Sequence, residues 1–143
     1  TTKTPYRLYR HALGRAGADE LVYEEKDEMF GIQVERSRSR GYIFLTSASH
    51  TTSEVRYVPA DKPSEALRVV LPREAGHEYY VDHHGDQFFI RTNEKGARNF
   101  KLVAAPAAQA QSSNHFRKEL FTVRTEHHSI LRSRVCLTTR PTR

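Results

Sequence analysis

His77, Glu78, Asp82, His83 and His84 are the densest group of metal-ligating and proton-carrying side chains in the sequence. On an extended strand alternate side chains share a face, which aligns Glu78, Asp82 and His84. Structural zinc sites use closed tetrahedral sets at sharper spacings, so this group reads as a solvated strand end and turn, with no metal assigned. A second candidate is Arg36-Ser37-Arg38-Ser39-Arg40, whose guanidinium groups suit phosphate. No aromatic platform or second basic stripe accompanies it, and it reads as a charged hairpin turn. Glu24, Glu25, Asp27 and Glu28 form an acidic group that could attract a cationic substrate. The simpler reading is a solvated turn at 25–28. His127 and His128 receive no role.

Motifs with a defined mechanism are missing. A hydrolase of the α/β type needs its nucleophile on a strand-to-helix elbow flanked by glycine, and no Gly-x-Ser-x-Gly occurs. There is no phosphate-cradling glycine-rich loop and no Cys-x-x-Cys. Chance trios of Ser, His and Asp are expected in any chain of this length. The sequence therefore assigns no catalytic, cofactor-binding or metal residue, and no cofactor.

The elements that would position such groups are strands. Short stretches at 6–13, 20–24, 30–34, 42–46, 54–58, 67–71, 78–83, 87–92 and 99–104 carry apolar or alternating patterns. Gly, Pro, Ser and charged residues separate them. Gly85-Asp86 supplies a tight turn, since glycine accepts positive φ at little cost. In the hairpin it joins, Tyr79 and Val81 face one way, Tyr80 and Asp82 the other. Phe88, Phe89 and Ile90 read as one buried run, and residues 42–46 as a strand covered on both faces. Residues 47–53 read as a Ser/Thr-rich loop. No segment before residue 106 has a convincing helical period. The pattern is all-β, not alternating βαβ. Strands 31–36, 42–47, 54–58 and 67–71 make one up-and-down unit. Strands 78–83, 87–92 and 99–104 begin another, with 116–120 as a candidate fourth strand. Such meanders are the repeat of a β-propeller. The expected fold is a partial propeller of about two blades over residues 1–106. Residues 107–143 are expected to form a linker, the last strand and an irregular basic tail, with an Ala/Pro/Gln stretch at 104–111.

The chain has 143 residues, 37% of them hydrophobic, and a formal net charge of +6. Its mean hydropathy is −0.71 and its pI about 9.7. That charge invites a nucleic-acid reading, but it is unevenly placed. Residues 1–106 hold 16 Lys and Arg against 15 Asp and Glu, while residues 107–143 hold 7 against 2. The body is nearly neutral, so nucleic acid is not expected as a partner. No apolar run is long enough to span a bilayer, so a membrane is not expected either. The start, Thr1-Thr2-Lys3-Thr4-Pro5, has neither Met nor the apolar core of a signal peptide. A piece of a longer protein is the expectation. Cys136 is the sole cysteine, which fits a reducing cytoplasm.

Several long motifs resemble one family. They are Tyr6-Arg7-Leu8-Tyr9-Arg10-His11, Asp19-Glu20-Leu21-Val22-Tyr23-Glu24-Glu25-Lys26-Asp27, Thr51-Thr52-Ser53-Glu54-Val55-Arg56-Tyr57 and Leu71-Pro72-Arg73-Glu74. His77-Glu78-Tyr79 with Asp82-His83-His84, and Arg91-Thr92-Asn93 with Asn99-Phe100-Lys101-Leu102, continue the series. Over residues 5–105 the chain resembles the oligopeptidase B branch of the prolyl oligopeptidase family of serine peptidases. The resemblance implies a seven-bladed propeller capping an α/β-hydrolase domain, admitting short peptides and excluding folded proteins. It implies cleavage after Arg or Lys by a Ser-Asp-His mechanism. The implied partners are short basic peptides and the hydrolase domain of the same protein. The family's catalytic residues belong to that other domain, so no position here inherits them. The resemblance weakens after 116–120, where the expected Gly-Phe segment is missing; a shifted reading frame near 131–133 would account for it. The alternative reading is a non-catalytic, truncated or vestigial β domain that self-associates through open strand edges.

Overall fold

The computed structural model describes residues 4–109 and 118–122. Within them the chain is all-β apart from two short 3-10 turns at Glu94–Gly96 and Ala107–Gln109. The strands are β1 (Arg7–Arg10), β2 (Glu20–Glu24), β3 (Gly31–Arg36), β4 (Tyr42–Ala48), β5 (Ser53–Pro59), β6 (Arg68–Val69), β7 (Tyr79–His84), β8 (Gln87–Thr92), β9 (Lys101–Pro106) and β10 (Lys118–Thr122). They form a two-stranded ribbon, β1-β2, and two four-stranded sheets in the orders β3-β4-β5-β6 and β10-β9-β8-β7. Every pairing is antiparallel. Both sheets are meanders that follow chain order, as expected of successive propeller blades.

Strand alternation explains the layering. On β4 and β5, Phe44, Val55 and Tyr57 point to one face and join Val70 in a common core with Tyr79, Val81, Phe88, Ile90 and Val103 of the second sheet. The opposite face carries Ser47, Glu54 and Arg56, in register across the pair. That face meets the β1-β2 ribbon: the Arg56 guanidinium lies 4.6 Å from the centre of the Tyr23 ring. The first sheet is thus the middle of three layers. Phe44 and Leu45 are each 1% exposed although they face opposite ways, which bears out the reading of a strand covered on both faces. Phe88 sits at the centre of the inter-sheet core, fully buried, with the rings of Tyr42, Phe44, Tyr57 and His83 at 5.0–5.6 Å.

The hairpin at Gly85-Asp86 forms as expected, with Gly85 at φ +63 and His84 opposite Gln87. Tyr79 and Val81 face the core while Tyr80 is 49% exposed. Other expectations are adjusted. Phe88 and Ile90 are buried but Phe89 between them is only half-buried, since the period-two pleat turns it to the outer face. The first strand is shorter than 6–13: it ends at Arg10, and a turn from Ala12 follows, with the Arg15 amide donating to the Ala12 carbonyl at 3.2 Å and Gly14 at φ +80. β6 has two residues because the Leu71 amide leaves the ladder for the Tyr79 hydroxyl, 3.2 Å away. Residues 47–53 are not all loop: Ser47 and Ser53 are buried strand residues. Their hydroxyls are satisfied by the Glu25 carboxylate and the Tyr79 carbonyl, so burial leaves no bare polar group. Ala104, Ala105 and Ala107 are buried as well, with Pro106 exposed between them. The fourth strand of the second sheet exists as β10, running to Thr122. Residues 110–117 and 123–143 lie outside the described residues. So do His127, His128, Cys136, the basic tail and the proposed frame change.

Candidate functional site

The acidic group at 24–28 is the first place where structure and sequence reading part. Glu25 leaves the end of β2 and enters the space between the ribbon and the first sheet, where it is 7% exposed. It is not part of a solvated turn. Arg73, in the segment joining the two sheets, meets it in a fork: Nη2 to Oε2 at 2.6 Å and Nη1 to Oε1 at 3.5 Å. The Tyr23 hydroxyl and the Asp27 amide donate at 3.0 and 3.1 Å, and the Ser47 hydroxyl donates as well. Burial alone pushes this carboxyl up; the donors, Arg73 and Ser47 foremost, outweigh it and hold it at about 2. Arg73 stands 3.8 Å from the centre of the Phe30 ring and 3.9 Å from the Glu54 carboxylate, which itself pairs with Arg56 at 2.6 Å. Glu24 pairs instead with Arg7 at 2.7 Å, and Asp27 accepts the Met29 amide at 2.9 Å. The group is therefore divided among separate partners, and its buried member fastens three segments together rather than facing a cationic ligand.

The potential metal ligands of 77–84 are divided by the pleat. His77 and His83 are buried, Asp82 is half-buried and His84 is exposed. The His77 Nε2 pairs with the Thr92 hydroxyl at 2.8 Å. Asp82 accepts the amides of Arg38 and His83 at 3.0 and 2.8 Å, and its other oxygen lies 3.5 Å from the Arg38 guanidinium. Among the described residues no three His, Cys, Asp or Glu side chains converge as a metal site.

The Arg36–Arg40 turn docks on this same strand. Ser39 Oγ lies 2.7 Å from His83 Nδ1, a hydroxyl-imidazole pair between residues that the sequence reading treated separately. It has the distance of a nucleophile and base. Its surroundings differ: the Ser39 oxygen also receives the Gly41 amide at 3.1 Å and pairs with the Ser37 hydroxyl at 2.9 Å. Both lone pairs are thereby occupied, and Asp82 is turned to amides rather than to the imidazole. The pair is a bracket between sheets, not an activated nucleophile. Beside it lies a crevice of about 150 Å³, lined by Glu35, Arg36, Arg38, Phe44, Val81 and Asp82.

A larger open cleft, about 360 Å³, separates the turn at 74–78 from the loop at 93–100. Glu74, Glu78, Glu94, Lys95 and Arg98 line it. The Asn93 side chain ties its walls, accepting the Glu78 amide at 2.8 Å and donating to the Gly76 carbonyl at 3.0 Å. The described residues thus present charged crevices between packed meanders, with no hydrolytic triad among them.

The sequence pattern of the prolyl oligopeptidase N-terminal β-propeller domain matches residues 1–139. The chain belongs to the prolyl oligopeptidase family. Its two four-stranded sheets are blades of that propeller. The chain is 46% identical over 101 residues to dipeptidyl aminopeptidase BI of Pseudoxanthomonas mexicana, covering 70% of this chain and 14% of that protein. Protease 2 of Moraxella lacunata is 43% identical over 103 residues, covering 71% of this chain and 15% of the relative. The chain thus spans about one seventh of the length of these relatives. Among solved structures, oligopeptidase B from Leishmania major superposes with a TM-score of 0.71 at 31% identity, covering 80% of this chain and 16% of that one. Oligopeptidase B from Trypanosoma brucei, closed and with covalently bound antipain, gives 0.72 at 28% identity, covering 80% and 17%. The family and the all-β propeller fold read from the sequence are borne out. No helix among the described residues is long and apolar enough to cross a membrane.

Proposed function

We propose that this chain is the propeller portion of a cytoplasmic serine oligopeptidase that cleaves short peptides after Arg or Lys. In this reading its blades wall the passage to a catalytic domain that lies outside these residues, and the propeller serves as substrate gate. The observation that carries the reading is the pairing of a family match over residues 1–139 with two consecutive meander sheets. The chemistry agrees: the buried polar side chains of the described residues bond to one another and to the backbone, which suits a wall rather than a reaction centre.

Two measurements test it. The purified chain should not hydrolyse an Arg-containing fluorogenic peptide; turnover intrinsic to the chain refutes the reading. A chimera of Moraxella lacunata Protease 2 carrying residues 5–106 in place of its own matching segment should cleave that peptide and spare folded proteins. A chimera that degrades folded casein-sized domains while keeping peptide activity removes the gate. One observation favours a second reading, association through open edges. The β1-β2 ribbon has only two strands, and its paired residues Tyr9 and Leu21 are 49% and 46% exposed. That reading expects oligomers in size-exclusion chromatography, and a single monomer peak rejects it.

A further inference from the structure

The hydrogen-bond chain at the Arg36–Arg40 turn has a direction. The Tyr42 amide can only donate, and it donates to Ser37 Oγ at 3.0 Å. Ser37 Oγ then pairs with Ser39 Oγ at 2.9 Å, and Ser39 Oγ with His83 Nδ1 at 2.7 Å. The Gly41 amide adds a second fixed donor to Ser39 at 3.1 Å. With Ser37 donating to Ser39 and Ser39 donating to His83, every proton in the chain has an acceptor. This arrangement requires an unprotonated Nδ1 and places the ring proton on Nε2.

A second proton on His83 reverses the order. Nδ1 becomes a donor to Ser39, and Ser39 must then donate to Ser37. The Ser37 proton, on a residue 4% exposed, is left without an acceptor in the chain. The charged ring would also stand edge-on to Tyr42, 4.5 Å away, and 5.6 Å from Phe88. We propose that Ser37, Ser39 and His83 form an acid-sensitive latch that closes the β3-β4 hairpin onto β7 when His83 is neutral and releases it when His83 is protonated.

The other charged groups around the ring are few. Asp82 and His84 flank it on β7, and Asp86 lies in the following turn. Arg36, Arg38 and Arg40 belong to the hairpin, with Glu35 at its base, and the Tyr42 phenol faces the ring from β4. Burial lowers the His83 pKa; Asp82 and Asp86 oppose that and His84 adds to it, with a net downward result. The folded state therefore prefers the neutral ring. The latch is fully closed above the ordinary value of 6.5 and weakens as pH falls below it. Release would widen the crevice between the first strands of the two sheets. The inference stands on this geometry and not on the peptidase reading.

Hydrogen exchange of the intact chain between pH 7 and pH 4.5, corrected for intrinsic rates, tests it. The Gly41 and Tyr42 amides should lose protection as pH falls below 6.5, by up to about tenfold per pH unit, the limit set by uptake of one proton, and the loss should level off below the His83 midpoint. In His83→Asn, whose side-chain oxygen can still accept from Ser39, that loss should vanish. Protection that does not change with pH in the unaltered chain, or changes equally in the variant, overturns the latch. Nitrogen NMR of His83 in the unaltered chain keeps the test open should the variant not fold. The Nε2–H tautomer with a midpoint below 6.5 supports the latch; the Nδ1–H tautomer or a higher midpoint overturns it.

Discussion

Glu25→Gln removes one charge from the clamp between the ribbon and the first sheet while keeping its shape. The unaltered carboxyl is held at about 2 against an ordinary value of 4.5. At about 1.4 kcal/mol for each tenfold change in proton affinity, that depression corresponds to about 3 kcal/mol of stability. It agrees with the ~3–5 kcal/mol typical of removing one partner of a buried ion pair. Arg73 keeps the Phe30 ring and the more distant Glu54 carboxylate, which favours the lower figure. The sign follows from the direction of the depression. The stabilisation is complete above about pH 4.5 and is lost as pH falls toward 2. Urea unfolding followed by far-UV circular dichroism and tyrosine fluorescence measures it, the chain having no tryptophan. The unaltered chain should exceed Glu25→Gln by about 3 kcal/mol at pH 7, with the gap closing near pH 2. A gap below about 1 kcal/mol at pH 7, within the worth of an exposed pair, refutes the reasoning. So does a gap equally wide at pH 2.

Other positions give sharp expectations. The buried Tyr79 hydroxyl accepts the Val55 and Leu71 amides at 2.8 and 3.2 Å and donates to the Leu71 carbonyl at 2.6 Å. Tyr79→Phe strands these groups and should cost about 2–4 kcal/mol in urea unfolding. The same burial pushes the phenol up to about 12, so absorbance titration should find it un-ionised at pH 11. Phe88→Ala empties the centre of the inter-sheet core and should cost about 3–5 kcal/mol, read as a lower urea midpoint with unchanged slope. Gly85→Ala forces a side chain into φ +63 and should cost about 1–2 kcal/mol by the same measurement, although no atom stands within 4 Å of the added carbon.

The meander was legible because its signals are local. Alternation in Tyr79-Tyr80-Val81, the glycine turn at Gly85 and the doubly covered run at Phe44-Leu45 each depend on a few neighbouring residues and the pleat. Strand ends were less legible where a distant group captured the backbone, as the Tyr79 hydroxyl does at Leu71. The acidic turn misled for a related reason. A run such as Glu24-Glu25-Lys26-Asp27-Glu28 looks solvated when only its own residues are considered. Burial of one carboxylate becomes favourable only when an arginine, a serine and a phenol are brought to it together.

From its own letters the chain declares the all-β meander, the family and the absence of a nucleophile elbow, all properties of short stretches. Tertiary packing alone decided which charges are buried and which serine meets which histidine. Arg73 lies 48 residues from Glu25, and His83 lies 44 from Ser39. Such partners are chosen by the stacking of one sheet on the next, because the free energy of a buried charge or a directed hydrogen bond depends on groups that no local pattern brings into view.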